Sequence, residues 1–314
     1  MGNVAVLIPT MRRPESLTRA LQSIFAQVGV ADRLTEIVVV DNDPTGSAAE
    51  AVAALSTQSP CPLIYHHEPK PGVATARNAG LGRTRAPLIA FLDDDEAADT
   101  QWLARLIAAQ NALGADVVFG PIHGRVPDGA GWATPYLERF FGREGPTDSR
   151  LIDHAYGCGN CLMMRATALP GTAPFDPGAD RTGGEDDALF QALELRGGRF
   201  GWAADAWVEE FAPPHRATMR YALARAFAYG QSPSQLAMRD RKPVQVARWM
   251  LIGAAQAVIW GLAALALTLT GNPHRADMLD RAARGLGKLF WFKGLEPQFY
   301  GARELARLDA LEAV

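Results

Sequence analysis

Cysteine is scarce in this sequence. Cys61, Cys158 and Cys161 are the three in 314 residues, too few for a disulfide-stapled scaffold of this size. They fit a reducing compartment such as the cytoplasm. A surplus of charge of either sign is also missing. With 31 Lys and Arg against 34 Asp and Glu, the formal net charge is -3, so no basic balance argues for nucleic acid. The opening MGNVAVLIPTMRRPES has no basic region ahead of its short apolar part, and a helix-start pattern follows at once, unlike a secretory signal. No internal repeat or low-complexity tract stands out beyond richness in Ala. Apolar residues are plentiful at 48%, enough to build a substantial core in one large domain or two modest ones.

One long apolar run departs from the soluble pattern. Between Trp249 and Pro273 no side chain is ionisable. About 20 such residues suffice to cross a bilayer. Arg239, Arg241, Lys242 and Arg248 precede the run and would hold that flank in the cytoplasm. Its many Ala and Gly residues lower the hydrophobicity, so a buried or dimer-forming helix is the competing reading. Downstream, 274–294 sets Arg275, Arg281, Arg284 and Lys288 among Leu279, Leu286, Leu289, Phe290, Trp291 and Phe292. That mixture suits a helix lying on an anionic membrane, or one packed on its own domain.

The first half alternates strands and helices. NVAVLI at 3–8 reads as a buried strand ending at Pro9-Thr10, and Pro14 opens a helix to about Gln27 with Leu17, Leu21, Ile24 and Phe25 at helical spacing. EIVVV at 36–40 is a second strand, ending at Asp41-Asn42-Asp43. A helix over 47–55, a strand over 63–66, a turn at 69–72 and a helix over 73–83 follow. The strand 88–92 delivers Asp93, Asp94, Asp95 and Glu96; then come a helix over 101–113 and a strand over 116–119. Such alternation predicts an α/β, mostly parallel sheet with helices on both faces, whose ligands bind at the carboxyl ends of the strands. Residues 120–155 loosen into a Gly-, Pro- and aromatic-rich loop region suited to shaping a substrate. A strand-like run over 157–165, a loop over 171–184, a helix over 185–196 and helices around 217–230 complete the pattern.

Four adjacent carboxylates at a strand end repel one another and bind a hard divalent cation well. Mg²⁺ is held typically by one or two carboxylates together with phosphate oxygens and water. An acidic triplet alone is equally what a solvated turn presents. The neighbouring strand ends favour the cation: Thr10, Arg12 and Asp41 would lie near the cluster, and Asp41 can accept hydrogen bonds from a base imide or ribose hydroxyl. Arg77 and Asn78 sit on the helix beside the same edge, where a guanidinium would neutralise phosphate.

VLIPTMRRPESLTRALQSI, EIVVVDNDPTGSA, EPKPGVATARNAGL, FLDDDEAAD, GCGNCLMMR and GGEDDALFQALELRGG occur in that order. Together they resemble the family 2 glycosyltransferases of GT-A fold, and most of all the bacterial exopolysaccharide branch with the succinoglycan-type glucosyltransferases. The resemblance covers roughly residues 3–230, which predicts a Rossmann-like GT-A domain over 1–230 and a helical C-terminal region over 231–314 with a membrane-associating segment at 249–273. It implies inverting transfer of a sugar from a nucleotide diphosphate sugar, UDP-linked by expectation, to a saccharide or polyprenyl-diphosphate-linked acceptor. It also implies Mg²⁺ or Mn²⁺ and a place on the cytoplasmic face of the inner membrane. By match to the family pattern, Pro9, Thr10, Arg12 and Asp41 hold the nucleoside. Arg77, Asn78, Asp93 and Asp94 complete the donor-binding set. Asp93 and Asp95 take the metal positions, Asp186 the catalytic base with Glu185 beside it, and Gly159-Asn160 the acceptor border.

This sequence departs from the family pattern in places. Asp187-Ala188 follows GGED where relatives often have Thr and an acid, which leaves Asp186 and Asp187 as alternatives for the base. His215, in PPHR, falls where relatives often have Glu; it reads as a loop histidine, with a third metal ligand or a phosphate contact as the alternatives. Cys158 and Cys161 lack the second pair a zinc site needs and read as ordinary thiols. QVARW at 245–249 matches a mark of processive synthases, but lies far downstream with one candidate span. A processive synthase subunit and a non-catalytic sugar-nucleotide-binding scaffold are the alternative functions.

Overall fold

The computed structural model describes residues 2–180, 183–297 and 299. The chain begins β1 (Val4–Thr10), α1 (Pro14–Phe25), β2 (Leu34–Asp41), α2 (Ala49–Leu55), β3 (Leu63–His67), α3 (Val73–Leu81) and β4 (Leu88–Phe91). It continues through β5 (Glu96–Ala98), α4 (Trp102–Leu113), β6 (Val117–Phe119), β7 (Ile122–Arg125), α5 (Thr134–Phe141), β8 (Arg150–Ile152) and β9 (Cys161–Met164). After α6 (Arg165–Ala168), α7 (Glu185–Leu195), β10 (Phe200–Trp202) and β11 (Val208–Phe211) come three long helices: α8 (Met219–Arg239), α9 (Pro243–Leu269) and α10 (Arg275–Leu289). Two compact units result. Residues up to His123 together with Gly142–Glu210 form the first; Gly124–Phe141 and Phe211–Pro297 form the second.

In the first unit an eight-stranded sheet runs β3-β2-β1-β4-β9-β6-β10-β8. Its strands are parallel except that β9 lies antiparallel between β4 and β6, and β8 antiparallel at the edge. Strand β1 shows why helices cover both faces. Val4, Val6 and Ile8 pack with Leu17 and Leu21 of α1, Val52 of α2 and Trp102 of α4. Ala5 and Leu7 point the other way, into a core with Ala74 and Leu81 of α3 and Leu189 and Phe190 of α7. A strand buried on both faces reads as the unbroken apolar run seen in the sequence. Helix starts and stops follow local chemistry. Pro14 opens α1, and α4 stops at Gly114, whose left-handed backbone (φ +59°) releases the chain toward β6.

The second unit corrects the expectation of a loop across 120–155. Within that stretch α5 forms, and its Tyr136 and Leu137 are buried with Ala222 of α8 and Ala276 of α10. Those partners lie more than eighty residues downstream, so local periodicity carried no sign of them. Helix α8 starts at Thr218, whose hydroxyl accepts the Tyr221 amide at 3.2 Å, and runs unbroken through Pro233 to Arg239. Proline costs a helix about 3 kcal/mol. Here packing against α10 offsets it: Gly287 of α10 sits against the Phe227 carbonyl and Gly230, and the Ser234 hydroxyl donates to the Lys288 carbonyl at 2.9 Å.

Candidate active site

The carboxyl ends of β1 and β4 bring the first acids together. Leu7 pairs with Phe91 in the parallel register, and three residues on the Thr10 hydroxyl donates to Asp94 Oδ2 at 2.8 Å. Arg13, in the turn before α1, donates to Asp94 Oδ1 at 2.9 Å and Asp95 Oδ2 at 2.8 Å. Burial pushes the Asp94 carboxyl up to about 6, against the pull of the Arg13 guanidinium. Asp94 is thus committed to Thr10 and Arg13, while Asp93, at 38% side-chain exposure, is the more open acid.

The loop after β2 is knotted from its own polar side chains. Asp41 is fully buried. Its Oδ1 accepts the Asp43 amide at 3.1 Å, and its Oδ2 accepts the Ala48 amide at 2.7 Å and the Tyr65 hydroxyl at 3.0 Å. Asn42 donates to the carbonyls of Glu68 and Lys70 and accepts the Gly72 amide, which ties this loop to the start of α3. Arg12, in a left-handed backbone conformation (φ +56°), donates to Asp43 Oδ1 at 3.2 Å. Asp41 therefore faces its own loop rather than open space. Of the expected nucleoside set, Pro9 and Arg12 keep partial exposure, while Thr10 and Asp41 are buried.

The turn at 157–160 forms the floor under the acids. The antiparallel register places Cys161 opposite Phe91, so Gly159 comes beneath Asp93. A Cβ on Gly159 would lie 2.8 Å from Asp93 Oδ2 and from Glu96 Oε1, so any larger residue would displace both carboxylates. Asn160, buried and left-handed (φ +48°), accepts the Trp102 indole N–H at 2.7 Å and donates to the carbonyls of Pro121 and Ala206. All its side-chain polar atoms are engaged within the fold. Arg143 donates to the carbonyls of Gly157, Gly159, Gly120 and Asn160, and its guanidinium lies over the Tyr156 ring, 5.4 Å from the centroid.

Glu96 Oε2 accepts the amides of Asp93 at 3.0 Å and Asn160 at 3.2 Å. Its Oε1 is buried with no hydrogen-bond partner. Directly across the β5–β11 ladder stands Glu210, a like charge opposite a like charge. Burial, then repulsion from Asp95, Glu96 and Asp93, holds the Glu210 carboxyl well above the usual carboxylate range. Burial, then repulsion from Asp93, likewise raises Glu96, with Arg143 pulling the other way.

Helix α7 brings in the second acidic segment. Gly183 and Gly184 turn the chain in left-handed conformations, and three acids occupy the first turn, where the helix dipole favours them. Buried Glu185 pairs with Arg77 of α3, whose other nitrogen lies 3.5 Å from Asp93 Oδ1. One guanidinium thus touches both acidic segments. Asp186 Oδ2 accepts the Cys158 amide at 3.1 Å and lies against Gly157, so Asp186 stands over the same 157–160 floor as Asp93. Asp187 is exposed. The stretch leading to α7 is fastened along α3. Asp180 accepts the Thr75 amide at 3.1 Å and hydroxyl at 2.6 Å, and Asn78 clamps both the amide and carbonyl of Phe175. Asn78 accordingly serves the backbone of that stretch.

The donor chemistry suits a hard divalent cation such as Mg²⁺ or Mn²⁺. Asp93, Asp95, Glu96 and Glu210 offer oxygens only, one of them buried without a partner. Among the described residues, no three His, Cys, Asp or Glu side chains converge to hold a metal alone.

Arg13, Arg143, Asp180 and Glu210 escaped the sequence reading. Arg13 had a signal in its place beside Arg12, one residue before the helix-opening Pro14. The others are isolated charges that gain meaning from partners far along the chain. Cys158 and Cys161 are free, buried thiols, as expected.

Known proteins resemble this chain along most of its length. The family described as glycosyl transferase family 2 matches residues 5–170. Succinoglycan biosynthesis protein ExoM of Rhizobium meliloti (strain 1021) is 30% identical over 313 residues, covering 96% of this chain and 97% of that protein. Among solved structures, mannosyltransferase PcManGT from Pyrobaculum calidifontis, in complex with GDP-Man and Mn²⁺, matches with a TM-score of 0.62 at 20% identity. That match covers 93% of this chain and 88% of the other. S. aureus TarS 1-349, in complex with UDP, matches at 0.55 and 15% identity, covering 93% and 92%. These likenesses show a GT-A fold.

Proposed function

The chain belongs to glycosyl transferase family 2, and from that premise we propose an inverting transfer of one sugar from a nucleotide diphosphate sugar. The donor is a UDP-hexose. The acceptor is a saccharide or a polyprenyl-diphosphate-linked glycan, at the cytoplasmic face of a bacterial inner membrane during exopolysaccharide assembly. The observation that carries this reading is Arg77, which joins Asp93 to Glu185 and so sets the metal-suited acids and the α7 acids around one floor. UDP in TarS, and GDP-Man with Mn²⁺ in PcManGT, support a nucleotide-bound donor.

Asp93 and Asp95, with Glu210 beside them, would hold Mg²⁺ or Mn²⁺. When bound, the cation supplies positive charge to the diphosphate. Asp186 takes the proton of the acceptor hydroxyl at its carboxylate as that oxygen bonds to the anomeric carbon. The bond from that carbon to the diphosphate oxygen breaks, and the nucleoside diphosphate leaves with the electron pair. With no enzyme nucleophile, one displacement inverts the configuration. Glu185 is tied to Arg77, which leaves Asp186 as the base. Pro9 and Arg12 contact the nucleoside, and Asp41 holds the loop that presents them.

A donor panel of UDP-, GDP- and dTDP-sugars, assayed with and without Mg²⁺ or Mn²⁺, tests the proposal. Transfer from a UDP-sugar that stops on chelation is expected. Full activity in EDTA would refute the metal role. An Asp186→Asn variant that transfers at the normal rate would refute the base.

A further inference from the structure

Helix α9 is long and apolar enough to cross a membrane, with a mean hydropathy of 2.0 in its most apolar window. Its surroundings argue for a different placement. Helix α10 folds back along it. Gly285 meets the backbone of Gly253 and Ala257, Lys288 lies beside Gly253, and the Arg281 guanidinium stacks 4.7 Å from the Trp260 ring centre. The charged groups of α10 therefore sit at the level of the middle of α9. They are also committed to further structure. Asp277 pairs with Arg139 of α5 at 2.8 Å, and Asp280 holds Arg284 at 2.7 Å and the Tyr136 hydroxyl at 2.9 Å. A transmembrane α9 would carry these ions, and α5 with them, into hydrocarbon, where charged side chains are costly.

The open side of α9 is a single stripe. At 3.6 residues per turn, Val244, Leu251, Val258, Leu262, Leu265 and Leu269 fall on one face. Their exposure ranges from 59% at Leu265 to 83% at Leu269, while Val246, Gly253 and Ala264 on the opposite face are buried. Basic residues gather at one end: Arg239, Arg241, Lys242 and Arg248 are all exposed, and the single acid among them, Asp240, pairs with Lys242. Phe290 and Phe292, both exposed, follow the end of α10, where the Leu289 amide lies 3.2 Å from the Cβ position of Gly253.

We propose that the α9–α10 hairpin lies in the plane of an anionic membrane surface without spanning it. The leucine stripe of α9 enters the acyl boundary, and the basic end meets acidic head groups. Charge complementarity favours this occupant over a second copy of the chain: a parallel pairing of stripes would bring two sets of these cations together, and an antiparallel pairing would cover the stripe but leave the cations unmet. The inference rests on the membrane location proposed above. Its test uses neither donor nor acceptor, so the transfer reaction can fail or stand separately.

The full chain is mixed with vesicles of roughly two parts phosphatidylcholine to one part phosphatidylglycerol, and with pure phosphatidylcholine vesicles. Sedimentation with the first and weak binding to the second are expected, with release by alkaline carbonate. Val258→Glu with Leu262→Glu should lower binding at least about tenfold. Arg239→Glu with Arg248→Glu, both on exposed side chains, should lower it about fivefold per residue on the anionic vesicles alone. Retained helical circular dichroism and an unchanged thermal unfolding midpoint would confirm that each variant is folded. Carbonate-resistant insertion would overturn the proposal in favour of a span. Dimerisation without vesicles that the stripe variant abolishes, with no vesicle binding, would overturn it in favour of a second copy. Unchanged binding by both variants would also overturn it.

Discussion

The two units treat charge in opposite ways. The first gathers carboxylates faster than it supplies cations. Arg13, Arg77 and Arg143 face Asp93, Asp94, Asp95, Glu96, Glu185, Asp186 and Glu210 around one floor, and Glu96 keeps a buried oxygen without a partner. The second unit pairs Asp280 with Arg284 and Asp277 with Arg139, and leaves outside an apolar stripe with a basic end. One surplus is electrostatic and suits a metal and a diphosphate. The other is hydrophobic and suits a lipid surface. Each unit's proposed role thus rests on the interaction that its own residues leave incomplete.

Substitutions can break or sharpen this contrast. The largest effect is expected at Asp186. Without the base, Asp186→Asn should lower transfer about 10²–10⁴-fold in steady-state rates, with UDP binding by calorimetry unchanged. Next comes Arg77→Met, which strips the shared cation from buried Glu185 and from Asp93. Chemical denaturation should show a loss of about 3–5 kcal/mol. In the second unit the comparable test is steric. A Cβ at Gly230 would collide with the Arg284 carbonyl, and Gly230→Ala should destabilise by about 1–3 kcal/mol as α8 and α10 separate. That loss should be insensitive to salt, unlike one arising from charge.

The smallest and most diagnostic change is Glu210→Gln. It removes a like charge opposite Glu96, so metal-free protein should gain up to about 1 kcal/mol by denaturation. The same variant should bind Mn²⁺ more weakly by calorimetry. A stabilised apo form with undiminished Mn²⁺ affinity would show that Glu210 takes no part in holding the cation.

Much of the first unit was readable because its determinants are local. Apolar runs of strand length, Pro14, and acids directly after β4 each act within a few residues. The GGED segment opens a helix at Glu185, where the sequence placed one. Roles were harder to read than positions. Asp41 and Asn78 looked like ligand-facing groups, yet both bond to backbone within the fold, since short polar side chains at element ends serve either purpose. Asn160 is likewise engaged by Trp102, Pro121 and Ala206. Helix α5 was hidden because its apolar residues are covered by α8 and α10. Asp186 and Asp187 differ only in the fold: the Cys158 amide donates to Asp186, and Asp187 is exposed.

The amino-acid order alone determined the alternation of strands and helices, the acids placed at a strand's end, and one long apolar helix, because periodicity and chain-neighbour chemistry act over a turn or two. Only the folded chain decided that β9 inserts antiparallel beside β4, that Gly159 lies under Asp93, and that Arg77 reaches both acidic segments. It also decided that α10 lays its charges along the middle of α9. Those outcomes depend on groups distant in sequence and adjacent in space, where burial and like-charge contact set what each side chain can do.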